Sequence, residues 1–142
     1  MAIKSLVIEE LINYLLATVA DIEQFEVDRE MLETNKERSA AVKYMVQTAV
    51  EACANIAEHI IFGLHLGDPV TSKELFPILA KHNIITHDLS EKLKDAVGLR
   101  NILVHLYRQV SLAILANSAT LGLNDLREFA KAINEFLEKQ SS

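Results

Sequence analysis

A chain of 142 residues, half of them hydrophobic, fits one domain spanning 1–142 around one core, because folding at this length withdraws roughly 70% of the unfolded surface from water. No apolar run approaches the ~20 residues of a membrane span, Met1–Ser5 lacks the apolar core of a secretory signal, and the lone Cys53 cannot form an intrachain disulfide; a cytoplasmic protein without a membrane partner is expected. The net charge of −6 disfavours long-range attraction of nucleic acid, yet all of it falls in residues 1–37, with nine acids against three bases.

Apolar residues recur at three- and four-residue spacing nearly everywhere, and four glycines and two prolines leave few breaks, so the chain reads as all-α. Ile3, Val7, Leu11, Tyr14, Leu15 and Val19 define the first helix. The acidic Asp21–Glu33 follows as a connection with at most a short helical turn. Thr34 and Glu37 have capping-box spacing and open a long second helix over 35–64. Its apolar face carries Val42, Val46, Ala49, Cys53, Ile56, Ala57, Ile60 and Leu64; Tyr44, Gln47, Thr48, Glu51, Asn55, Glu58 and His59 lie opposite. Gly63, Gly67 and Pro69 end it. Thr71 and Glu74 cap a short third helix ending near Lys81, which Pro77 delays or kinks. Thr86 or Asp88 caps a fourth helix over 88–107. A fifth covers 111–139, capped by Ser111, with Ile114, Leu121, Leu126, Phe129, Ala130, Ile133 and Phe136 as its stripe and Gly122 as its weak point. The economical architecture is a helical bundle of four main helices plus a short one.

The fourth helix carries an anomaly. At about 100° per residue, Leu93, Ala96, Val97, Leu103, Val104 and Tyr107 cluster around Arg100, which sets a guanidinium in the middle of an apolar stripe. Such a charge is costly unless it is paired, placed at an interface or used. Helix geometry alone favours a structural arginine bonded to a carboxylate such as Glu51. His105 diverges from Arg100 by about 140°, so the two meet only if the arm reaches round, the helix loosens, or two subunits meet. Asn101 shares the face of His105 and can fix its imidazole tautomer. On geometry alone, His105 is a surface residue near a helix end and Tyr107 a core residue with its hydroxyl at the rim. Residues 92–108 hold Lys92, Lys94, Arg100 and Arg108 against Asp95 alone, a local positive patch. His59 with His65 and His82 with His87 lack i, i+4 spacing, so no metal site and no cofactor are expected.

Read together, Gly98-Leu99-Arg100-Asn101-Ile102-Leu103-Val104-His105-Leu106-Tyr107 resembles the R-x4-H-x-Y motif of HepT-like toxins of the HEPN superfamily, in its R-N-x-L-V-H-x-Y form. Val50–Ile61, Ile84-Ile85 and Asp125-Leu126 also fit the family pattern, so the resemblance covers most of the chain. It implies a HEPN-type homodimer and the toxin of a type VII-like toxin–antitoxin pair: a metal-independent endoribonuclease with its site at the dimer cleft. Carried over by position, Arg100 would bind the scissile phosphate, His105 would serve as general acid or base, and Asn101 would help position the site. Tyr107 matches the tyrosine AMPylated by a cognate MNT-type nucleotidyltransferase antitoxin. Two departures stand out. Tyr107 is followed by Arg108-Gln109-Val110-Ser111 where the family often has x-x-V-D, and Asn55 stands where an acid is common. Glu51, Asn55 and Glu58 are the candidate supporting groups. The alternative implied by the same family is a non-catalytic HEPN subunit that binds nucleotide or substrate for a nucleotidyltransferase.

Overall fold

The computed structural model describes residues 3–105 and 109–141. Among these there are seven α-helices and no strand: α1 (Ser5–Gln24), α2 (Arg29–Thr34), α3 (Lys36–Gly63), α4 (Ser72–Lys81), α5 (His87–Val104), α6 (Leu112–Ser118) and α7 (Leu123–Ser141). Three of the four long helices are those expected, and the last is split. The short ones number three rather than one, and each has a local cause.

The acidic connection contains α2, capped by the Asp28 side chain, which accepts from the Met31 N–H at 2.7 Å. Thr34 is not the cap of α3. It ends α2 and gives its hydroxyl to the Glu30 carbonyl, and Asn35 accepts from the Arg38 N–H instead. The long helix ends at Gly63 with Leu64 as its C-cap; His65 follows with a left-handed φ of 53°, and the Leu66 N–H reaches back to the Ile61 carbonyl. Gly63 itself is helical, and a Cβ there would meet the Ile3 side chain at 3.0 Å. In α4 the Glu74 carboxylate accepts from the Thr71 and Val70 N–H groups. These bonds hold its carboxyl below the ordinary value. That contribution is present at neutral pH and is lost as the pH falls through the depressed value. Pro77 lies exposed inside α4 without delaying its start.

The expected fifth helix is broken into α6 and α7. The turn folds back so tightly that the Gly122 N–H donates to the Asn117 carbonyl, and a Cβ at 122 would lie 2.8 Å from the Ser118 backbone. Ile114 and Leu121, assigned to a continuous stripe, are consequently 57% and 70% exposed. Ser111 caps α6 as expected.

α3 lies at the centre, packed against α1, α2, α4, α5 and α7. Its expected apolar face is buried from Val42 to Ile60, while Leu64, at the C-cap, is only partly buried. On α1 the expected Leu15 and Val19 are buried, but Ile8, Ile12 and Ile22 join them in place of Val7 and Leu11, and Tyr14 is left 48% exposed. All seven helices contribute to the core, in which the fully buried rings of Phe76 and Phe129 meet edge to face at 5.9 Å. Phe129→Ala removes both the ring's burial and that contact. It is expected to cost about 3–5 kcal/mol, read as a lower denaturation midpoint at unchanged m-value.

Candidate functional site

The site begins with how α5 is held. Thr86 caps it by accepting from the Leu89 N–H, and Leu89, Leu93, Val97, Leu99 and Leu103 anchor it in the core. Helical hydrogen bonding stops at Val104, three residues short of the expected end, and His105 is the C-cap with extended backbone. Arg100 and His105 therefore sit on different local structures, one inside the helix and one at its exit.

Arg100 is the buried anomaly that the helix wheel indicates. Its side chain is 19% exposed, and its Nη1 stands 4.0 Å from Glu51 Oε2 on α3. Its Nη2 donates to Ser72 Oγ, at the start of α4, at 3.2 Å. Its Nε is buried with no hydrogen-bond partner among the described residues. A guanidinium has five N–H donors, and the Ser72 hydroxyl and a Glu51 carboxylate at the limit of contact are the partners found for them among the described residues. Glu51, a candidate supporting group, is thus brought to Arg100. Asn55, one helical turn further along α3, is exposed, and Asn101 is exposed on α5.

His105 lies elsewhere along α3. It lines a depression of about 290 Å3 together with Lys43, Ile102, Leu103 and Gln109. Glu51 and Lys43 are eight residues apart on one helix, about 12 Å of rise. Within one chain the arginine and the histidine therefore address α3 two turns apart. Tyr107 and Arg108 lie outside the described residues.

Within the positive patch expected over 92–108, both lysines are paired with acids. Lys92 meets Asp88 at 3.2 Å and Asp125 at 3.8 Å, and Lys94 meets Glu91 at 3.1 Å. The hydrogen bond and charge of Asp88, reinforced by Asp125, hold the Lys92 ammonium above its ordinary value. Among the described residues, no group of three or more His, Cys, Asp or Glu side chains is placed to hold a metal ion. Cys53 is fully buried, and burial pushes its thiol far up, so it has no thiolate to offer at neutral pH.

The model of a family described as Ribonuclease HepT-like matches residues 15–133. The chain belongs to the HepT-like ribonuclease family. An mRNA nuclease HepT from Shewanella oneidensis is 42% identical over 88 residues, 62% of this chain and 66% of that protein. A tRNA nuclease HepT from Aphanizomenon flos-aquae is 28% identical over 101 residues, 71% of this chain and 69% of that protein. The matched stretch thus spans about two thirds of each of these relatives. Among solved structures, the tri-AMPylated Shewanella oneidensis HEPN toxin in complex with MNT antitoxin superposes with a TM-score of 0.85 at 33% identity, over 91% of this chain and 97% of that one.

In this HepT-like chain, sequence reasoning missed Ser72. Its side chain lies 28 positions from Arg100, and nothing in the α4 capping pattern distinguishes it from any other first-turn serine. Only the packing of α4 on α5 brings the two together.

Proposed function

We propose that the chain is the toxin of a toxin–antitoxin pair, a single-domain cytoplasmic endoribonuclease that acts as a homodimer and needs no metal. The observation that carries this reading is Arg100: a guanidinium in the core-facing stripe of α5, tethered by Ser72 and Glu51 yet with unused donors. A buried structural arginine would be expected to fill its donors, because leaving them unmet is costly. A planar, permanently charged donor set at a partly open site suits a phosphate.

On this reading Arg100 binds the scissile phosphate and stabilises charge that develops on its oxygens. The ribose 2′-hydroxyl is the nucleophile, and His105 exchanges a proton with the attacking or leaving oxygen. Asn101, one turn before His105, orients the imidazole. Since Arg100 and His105 address α3 two turns apart in one chain, the complete site is assembled with the second protomer. Val104, 44% exposed on the last turn of α5, supplies apolar surface for that contact.

Tyr107 is the acceptor for adenylyl groups from an MNT-type nucleotidyltransferase. Each added phosphate brings negative charge beside Arg100 and His105 and competes for the position of the RNA phosphate. The resemblance to an AMPylated toxin bound to its antitoxin supports this role.

Purified protein is expected to cleave RNA at undiminished rate in excess EDTA. Treatment with the antitoxin and ATP should abolish cleavage and raise the intact mass in adenylyl increments. Tyr107→Phe should stay active and escape the mass shift. Intact RNA after incubation with unmodified wild-type protein would overturn the enzymatic reading.

A further inference from the structure

The depression at His105 does not end there. Lys43 and Leu103 form part of its wall and also line a second depression of about 490 Å3, which runs along α3 past Ala40, Tyr44 and Gln47 to Lys36. The shared residues make the two depressions neighbours on one face of α3, reaching from His105 toward its N-terminal end.

The groove has an unusual charge for this protein. The chain carries 20 acids against 14 bases, yet neither depression is lined by a single Asp or Glu. Lys36 and Lys43 stand in it, seven residues and about 10 Å apart. The larger cleft of about 1150 Å3 between α5 and the α6–α7 turn differs, with Asp95, Asp125 and Glu128 in its wall. The groove also holds an aromatic ring. Tyr44 is 64% exposed, although Val42 and Val46 beside it on α3 are buried. Gln47 and Gln109 add amide donors and acceptors along the groove.

We propose that this groove is the track along which single-stranded RNA enters the site, with Tyr44 stacking on a base and Lys43 and Lys36 contacting flanking phosphates. The proposal rests on the ribonuclease reading and adds to it the surface that holds the substrate. A positive groove with an exposed ring in an otherwise acidic protein matches a polyanion with flat faces. Stacking accepts any base, because every base offers a π-face, so the track binds RNA with little sequence preference of its own. Because Lys43 lines both depressions, a strand held on this face reaches the one that contains His105.

The test uses the full chain in its native oligomeric state and a 2′-O-methyl RNA of about ten nucleotides, which binds but cannot be cleaved. Tyr44→Ala should weaken binding about tenfold, and Tyr44→Phe should restore it, since the ring and not the hydroxyl does the stacking. Lys43→Ala should weaken binding and reduce the slope of log Kd against log salt by about 0.7, the share of one phosphate contact on a single strand. In cleavage assays the loss for both variants should be greater on the long oligonucleotide than on a dinucleotide. Wild-type affinity and salt slope in both alanine variants would overturn the track. So would a Tyr44→Ala protein that changes oligomeric mass while keeping its RNA affinity, which would assign this face to a protein contact. If the wild type neither binds nor cleaves RNA, the ribonuclease reading fails. If it cleaves while both alanine variants bind normally, the track alone fails.

Discussion

Arg100→Ala is expected to lower RNA cleavage by about 10²–10³-fold, the usual cost of removing one charged or hydrogen-bonding group that stabilises a transition state. The loss should fall on the rate at saturating RNA more than on binding, because a guanidinium against the scissile phosphate is worth most once charge has developed there. Stability should change little. The partner left behind, Glu51, is 40% exposed and can be rehydrated, and Ser72 loses one hydrogen bond. The removed charge also had a buried Nε without a partner, which offsets some of the lost packing. Arg100→Lys should recover only part of the rate. An ammonium is a point donor and cannot keep both Ser72 and Glu51 while presenting a fork to phosphate. Cleavage kinetics beside thermal melting decide the matter. A protein that loses several degrees in Tm but still cleaves RNA would make Arg100 a structural ion-pair residue, as helix geometry alone prefers.

His105→Ala should cost about 10²–10⁴-fold in rate, the range for losing a positioned acid or base. His105 is exposed at the C-cap of α5 and lies outside the core, so the variant should fold as the wild type does. Mixing it with Arg100→Ala tests how the site is shared. If each site takes its arginine from one protomer and its histidine from the other, a mixed dimer holds one site with both groups intact and one with neither. Mixing two inactive proteins should then restore activity, approaching half the wild-type rate in each mixed dimer. If each site is complete within one chain, both sites of the mixed dimer lack a group and the mixture stays inactive. The separation of Arg100 at the level of Glu51 from His105 at the level of Lys43 favours restoration.

Most of the bundle was legible because helix periodicity is local information. The buried face of α3, the capping box of α4, the Thr86 cap of α5 and the Ser111 cap of α6 follow from residues within a turn of one another. Elsewhere two local signals compete and the fold decides between them. Thr34 and Asn35 can both cap α3, and a shift of one residue was decided by α2 claiming Thr34. On α1 two adjacent apolar rows were available, and packing against α3 selected the one containing Ile8 and Ile12. Gly122 marked a weak point in a long helix; the sharp break comes from backbone approach to Ser118, which no periodicity encodes.

Residue order alone makes the chain helical, puts a charge in the apolar stripe of α5, and spells the motif of the HepT-like ribonucleases from Arg100 through Tyr107. These are properties of spacing and residue type along one helix. The tertiary structure decided what the charge meets: Ser72 comes from 28 positions away, and only the packing of α4 on α5 places its hydroxyl against the guanidinium. It also decided which basic residues remain available. Lys92 and Lys94 lie in the most basic stretch of sequence but are matched by Asp88 and Glu91, whereas Lys36 and Lys43, inconspicuous on a mixed-charge helix, share a groove without acids. Charge in sequence counts residues; the field at a site depends on which opposite charges the fold brings within a few ångströms.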